Sequence, residues 1–419
     1  MAPVHFGADL RKAAVAMLTC GCVLLTACVR APGSPSAAAP LTDQANSDQE
    51  IRVAHLFTPT SGWVLTTDRV LTTADGGTSW TDVTPPGVVT TGYRTGSLAV
   101  PGSAPSLQAR LLQTAFFLSP NEAWAVVSRP VVTSACGLDP LELFTSTDGG
   151  SHWRSSRMTA TTQCDTAGPF YLTFVDATRG WLIVDRGSHA GFMRYDGFQT
   201  IDGGITWTPL AYPQSAPLLF VSRLDGFSVS AGGYRQSGGY ATHDGGHTWK
   251  PLAFGGLTGR AATSAFELPR FSDERHGVLG GLVMDPSGDT ASVVFYSTSD
   301  TGRTWQPAAD VPNPDPRTSA QALGIVSARS WLAGFLMAGP AAGKTYTRLT
   351  MTQDAGRTWA WLPLLVAGAF QGQLSFAGST GWGILADSGC RGFKTDCYTN
   401  WALAQTLDAG AHWTALRVT

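Results

Sequence analysis

One eight-residue phrase is written seven times along this chain, and that repetition constrains its fold more than any other feature. The copies are TADGGTSW ending at Trp80, STDGGSHW at Trp153, TIDGGITW at Trp207, THDGGHTW at Trp249, TSDTGRTW at Trp305, TQDAGRTW at Trp359 and TLDAGAHW at Trp413. Their aspartates, Asp75, Asp148, Asp202, Asp244, Asp300, Asp354 and Asp408, recur with a typical step of about 54 residues, so each unit is a supersecondary module that buries its apolar face against neighbouring copies.

Each copy of this box follows a second signature, an apolar residue and then, five or six positions later, a small residue and an aromatic. Phe57 leads to Gly62-Trp63, Phe117 to Ala123-Trp124, Phe174 to Gly180-Trp181, Phe220 to Gly226-Phe227 and Phe376 to Gly381-Trp382. Two units depart from the plan: Phe271 leads to Gly277-Val278, and Ile325 to Ser330-Trp331. A unit therefore reads as strand a up to the Phe, a short turn, strand b from Gly-Trp, a variable loop, strand c, the box, and strand d. Segments such as GWLIVD and LELFTSTD have strand composition, and Asp-Gly-Gly between two strands is a hairpin signal. Seven such units predict an all-β, seven-bladed β-propeller of four-stranded antiparallel blades over residues 51–419.

The box pattern resembles the Asp-box, or bacterial neuraminidase repeat, of sialidases, xyloglucan-degrading propellers, sortilin-type receptors and photosystem II assembly-factor propellers. The whole-unit pattern, with its Phe and Gly-Trp lead, is most similar to the last of these. That resemblance implies a scaffold or assembly factor for membrane or envelope complexes. Sialidases of this kind carry a Phe-Arg-Ile-Pro motif before the boxes; the nearest string here is Leu268-Pro269-Arg270-Phe271, in a different place.

The box residues have a structural reading: the hydroxyl of Ser146 and the carboxylate of Asp148 bind backbone N–H groups, and Gly150 takes a conformation that side chains disfavour. One carboxylate per turn falls short of the roughly six oxygens a calcium ion takes. No metal and no cofactor is expected. His243 and His247 are four apart, but on a hairpin that spacing does not make a metal pair, and GPAAGKTY lacks the Gly spacing of a phosphate loop. Twelve of the 14 tryptophans fall in box or strand-b positions, which leaves Trp361 and Trp401.

The N-terminus sets the compartment. Arg11 and Lys12 precede an uncharged apolar run that ends in Leu25-Thr26-Ala27-Cys28, which resembles a bacterial lipobox. Residues 1–27 read as a lipoprotein signal peptide, Cys28 as the lipidated residue anchoring the chain to the outer face of the cell membrane, and 28–50 as a flexible tether. Export makes Cys136, Cys164, Cys390 and Cys397 candidates for two disulfides, 136–164 and 390–397. The net charge of −2 offers no attraction for nucleic acid.

Strand alternation sends the a–b turns and boxes to one face and the b–c loops and d–a connections to the other. The box face is expected to be tight and the loop face to bind a protein partner or envelope glycan, with the chain a monomer. The candidates there are Tyr93, Arg94, Tyr212, Arg391, Lys394 and Trp401. The alternative function is a glycoside hydrolase or sialidase-like enzyme. Of five glutamates, Glu267 alone lies on an innermost strand near the axis, as its acid or as a salt-bridge partner of Arg270.

Overall fold

The computed structural model describes residues 49–418 apart from 90–109, 129–140, 159–168, 190–191, 214–215, 230–237, 255–262, 286–287, 316–317, 339–344 and 392–395. Among the described residues there is no helix, and the strands form seven sheets, each built from consecutive strands joined in antiparallel order a-b-c-d. These are the seven blades of a β-propeller. The innermost strands are Ile51–Leu56, Leu111–Phe117, Phe170–Phe174, Leu218–Phe220, Thr263–Phe266 continued as Arg270–Phe271, Ala320–Ile325 and Ala369–Ala377.

Burial is greatest in strand b and falls towards the outer edge of the blade. Strand b is buried at every position in Gly62–Thr66, Ala123–Ser128 and Gly226–Val229, whereas the outermost strands Thr81–Asp82 and Lys250–Pro251 are exposed. A blade is covered on both faces by its neighbours, so strand b reads as a continuous apolar run rather than an alternation. The Gly that opens strand b has a local cause. A Cβ at Gly180, Gly226, Gly277 or Gly381 would lie 2.3–2.8 Å from the ring of the same blade's strand-a Phe, which lies flat across the glycine.

Each box is a hydrogen-bonded knot of the same form. In blade 2 the Ser146 hydroxyl donates to Asp148 Oδ1 at 2.8 Å and accepts from the Gly150 N–H at 2.8 Å, while the His152 N–H donates to Asp148 Oδ1 at 2.9 Å. The His152 N–H, then its ring and the Ser146 hydroxyl, hold the Asp148 carboxyl down at about 2. The N–H following each box aspartate donates to a carbonyl of the same blade's a–b turn, as Gly76 does to Thr60 at 2.7 Å and Ala409 to Ser379 at 2.8 Å. The box thus ties the c–d hairpin to the a–b turn. Its second glycine also meets the preceding blade: a Cβ on Gly150 would lie 2.7 Å from Val83, and on Gly204 2.1 Å from Leu143. Both residues after the aspartate have positive φ, and the first is non-glycine at Thr301, Ala355 and Ala409.

The ring closes without a shared strand, since blade 7 consists of its own four strands. Packing and side-chain hydrogen bonds join it to blade 1. Ile51, Leu56 and Val64 form one buried cluster with Trp382, Ile384 and Leu403. The Leu56 N–H donates to Ser375 Oγ at 3.0 Å, Gln405 Nε2 to the Gly76 carbonyl at 2.9 Å and the Trp80 indole to the Arg417 carbonyl at 3.0 Å.

Candidate functional site

Irregularities in the innermost strands bring polar side chains to the axis. The register between strands a and b slips at Arg52 in blade 1, at Gln113 in blade 2 and between Gln371 and Ser375 in blade 7; in blade 5 strand a breaks between Phe266 and Arg270. A bulge re-aims the side chain it carries. Arg52 reaches across to the Gln113 carbonyl at 2.6 Å, and Gln113 is itself held by Ser128 Oγ at 2.7 Å.

Blades 5 and 7 meet through the same bulges. Gln373 Nε2 donates to the Leu268 carbonyl at 2.7 Å, and Arg270 donates to the Leu374 carbonyl at 2.9 Å. Arg270 has no carboxylate partner among the described residues, and desolvation lowers its pKa. His55 of blade 1 is held neutral, its pKa lowered to about 4 by burial and then by the charge of Arg270. Its Nδ1 lies 3.5 Å from Ser375 Oγ.

Glu267 and Arg270 do not form a salt bridge. The Glu267 N–H joins the Gly280 carbonyl at 3.0 Å, and its carboxyl has no hydrogen-bond or ion-pair partner among the described residues. Desolvation alone pushes that carboxyl up to about 7. The intervening Leu268-Pro269 carries the strand past the break, so two charged groups three residues apart meet different neighbours. Further along the axis, burial raises the Tyr171 hydroxyl to about 12, with Tyr195 and Asp185 adding to the shift and Arg52 opposing it.

Contrary to the expectation of a tight box face, two sizeable cavities bounded by described residues open there. One, of about 880 Å³, is the axial mouth, lined by His55, Phe116, Leu268, Arg270, Gln373 and the turns of blades 4 and 5. At its rim Asp225 accepts from Ser222 Oγ at 2.8 Å and meets His243 Nδ1 at 2.7 Å. The other, of about 620 Å³, lies at the seam of blades 5 and 6 and shares Arg270, Phe271, Ser272 and Asp273 with the mouth. The sequence reading missed the mouth because it treated strand a as regular. The signal was the polar residues Arg52, His55, Gln113 and Gln373 in segments that otherwise read as core.

The loop-face candidates are dispersed. Tyr212 is not a solvated loop contact: it is half-buried, its hydroxyl 2.7 Å from Ser228 Oγ and its ring edge-on to Trp249. Trp401 lies within strand c of blade 7 and packs against the core between blades 7 and 1. Arg391 ends strand b of that blade, and Cys390 stands opposite Cys397 in the b–c ladder. Tyr93, Arg94, Lys394, Cys28, Cys136 and Cys164 lie outside the described residues. Among the leftover tryptophans, Trp361 is 40% exposed with the Arg348 guanidinium 4.3 Å above its ring. His243 pairs with Asp225, while the His247 ring meets the Asp244 carbonyl at 2.6 Å.

No protein-family model matches this chain, and no curated protein matches it. Among solved structures it is similar to a GH74 enzyme from Niastella koreensis, at 13% identity and a TM-score of 0.41, over 91% of this chain and 67% of that one. It is also similar to a PL25 ulvan lyase, at 12% identity and a TM-score of 0.42, over 71% and 80% of the two chains. An α-L-arabinofuranosidase of Fusarium graminearum aligns at 11% identity and a TM-score of 0.34, over 59% and 80%. At such identities no residue role is carried across.

Proposed function

We propose that this chain is an exported, lipid-anchored binding propeller of the Asp-box kind, held at the outer face of the membrane through Cys28, with a protein partner seated on the axial mouth. The observation that carries the reading is Arg270. It lines the mouth, has a main-chain carbonyl as its hydrogen-bond partner and no carboxylate partner among the described residues, and faces a neutral histidine, so its charge is left for an acidic group on the partner. Rigid turns of blades 4 and 5 surround it with both signs of charge, from Asp225 and Asp273 to Arg275. The role is that of a scaffold or assembly factor for envelope complexes.

The test is site-specific photocrosslinking of the anchored protein in its own membranes. A crosslinker at Glu274 or Thr301, on the mouth, gives a discrete adduct that Arg270→Gln abolishes; one at Leu407, in the blade 7 box and outside the mouth's lining, does not. Equal adducts in Arg270→Gln refute the assignment.

A second reading has its own observation. The Glu267 carboxyl, unpaired among the described residues and pushed up to about 7, holds a proton near neutral pH as a general acid does, and favours an enzyme acting on glycans. A glycan panel scored for hydrolysis decides it: turnover that Glu267→Gln removes establishes the enzyme, and no turnover in the wild type dismisses it.

A further inference from the structure

We propose that the seam between blades 5 and 6 is a binding slot for a planar aromatic ring. Four successive seams are closed by the same device, a strand-b aromatic of one blade stacked on the strand-a Phe of the next. Ring centroids are 5.0 Å apart for Trp63 and Phe117, 3.9 Å for Trp124 and Phe174, 3.5 Å for Trp181 and Phe220, and 5.3 Å for Phe227 and Phe271. At the next seam both positions change together: the strand-b residue is Val278 and the strand-a residue is Ile325. Two rings are absent, and the cavity of about 620 Å³ lies where they would pack.

The apolar part of the lining is Val278, Ile325, Trp331, Phe271 and Phe376; polar side chains, Arg270, Asp273 and His276 among them, make up the other part. Trp331 leans into this seam and stacks on Phe295 of blade 5 at 5.3 Å, so one wall is an indole whose own packing holds it in place. An apolar cavity of about 150 Å³ is enough to admit benzene, so this one has room for an indole and part of the chain that bears it. The two absent rings belong to the propeller's own ring-stacking geometry, which makes an aromatic the complementary occupant of the apolar part. Phe271 and Arg270 join the slot to the axial mouth, so a substituent on the bound ring points towards the axis. This inference stands whether the mouth serves a partner or a reaction.

The experiment titrates the full-length protein in detergent with indole, N-acetyltryptophanamide and methyl glucoside, read by saturation-transfer NMR and by the thermal midpoint. Saturable indole binding that raises the midpoint is expected, weakened at least tenfold in Val278→Trp/Ile325→Phe, which restores the missing pair. Val278→Phe alone serves if the double variant does not fold. Binding of N-acetyltryptophanamide as well identifies an aromatic side chain as an acceptable occupant, and binding of indole alone identifies a free aromatic; both uphold the slot. Indole binding that is absent in the wild type or unchanged in the filled variants, or a preference for methyl glucoside, overturns it.

Discussion

Glu267 and His55 are predicted to conceal each other in the pH dependence of stability. Burial raises the Glu267 carboxyl from 4.5 to about 7, so the folded chain keeps a proton that the unfolded chain has lost. Its contribution is complete below pH 4.5 and is lost as pH rises through 7. Burial and Arg270 lower His55 from 6.5 to about 4, so the folded chain lacks a proton that the unfolded chain holds; that contribution is complete above pH 6.5 and is lost as pH falls through 4. At about 1.4 kcal/mol per pKa unit, each effect amounts to about 3 kcal/mol, with opposite slopes that nearly cancel between pH 4.5 and 6.5. Single variants separate them. Relative to wild type, Glu267→Gln gains a slope of about 1 kcal/mol per pH unit, its stability rising with pH, and His55→Asn gains a slope of similar size and opposite sign. Urea denaturation at half-unit steps from pH 4.5 to 7.5 measures this, and groups common to all three proteins drop out of the differences. Curves for Glu267→Gln and wild type that run parallel refute the reasoning.

Three further outcomes follow from the boxes and the cysteines. Gly204→Ala drives a Cβ into Leu143 at positive φ and is expected to cost about 2–4 kcal/mol in urea denaturation, whereas Ala409→Gly relieves strain and changes stability by no more than about 1 kcal/mol. Thr352→Val removes a buried hydroxyl that donates to Asp354 and accepts from the Gly356 N–H at 2.9 Å, a loss of about 1–3 kcal/mol; an unchanged midpoint contradicts the stapling role. Cys390 and Cys397, opposed in one ladder, are expected to be recovered as a disulfide-linked peptide from exported protein, and alkylation of both without reduction excludes the pair.

The repeat made the architecture legible because each unit writes its own turn chemistry: a hydroxyl, an aspartate and a glycine suffice to specify the hairpin locally. The Gly-Trp lead was equally readable, since the glycine answers to a Phe in its own blade. The axial site was not. His55, Arg270 and Gln373 lie in three units of the chain, and their meeting depends on slips of strand register that a reading of strand a as regular does not place. Glu267 was read as an axial acid or a salt-bridge partner of Arg270; its separation from Arg270 came from the break at Leu268-Pro269, which no spacing rule foretells, and it lines neither cavity.

Sequence alone determined the number of blades, their strand order and the chemistry of every box, because those are nearest-neighbour interactions repeated along the chain. Tertiary structure alone decided that the ring closes by packing without a shared strand, and that the large described cavities open on the box face. It also turned two apparently minor departures from the repeat, Val278 and Ile325, into one cavity. Those two residues are 47 positions apart in the chain and become neighbours only when consecutive blades pack face to face, where the absence of both rings acts as a single missing volume.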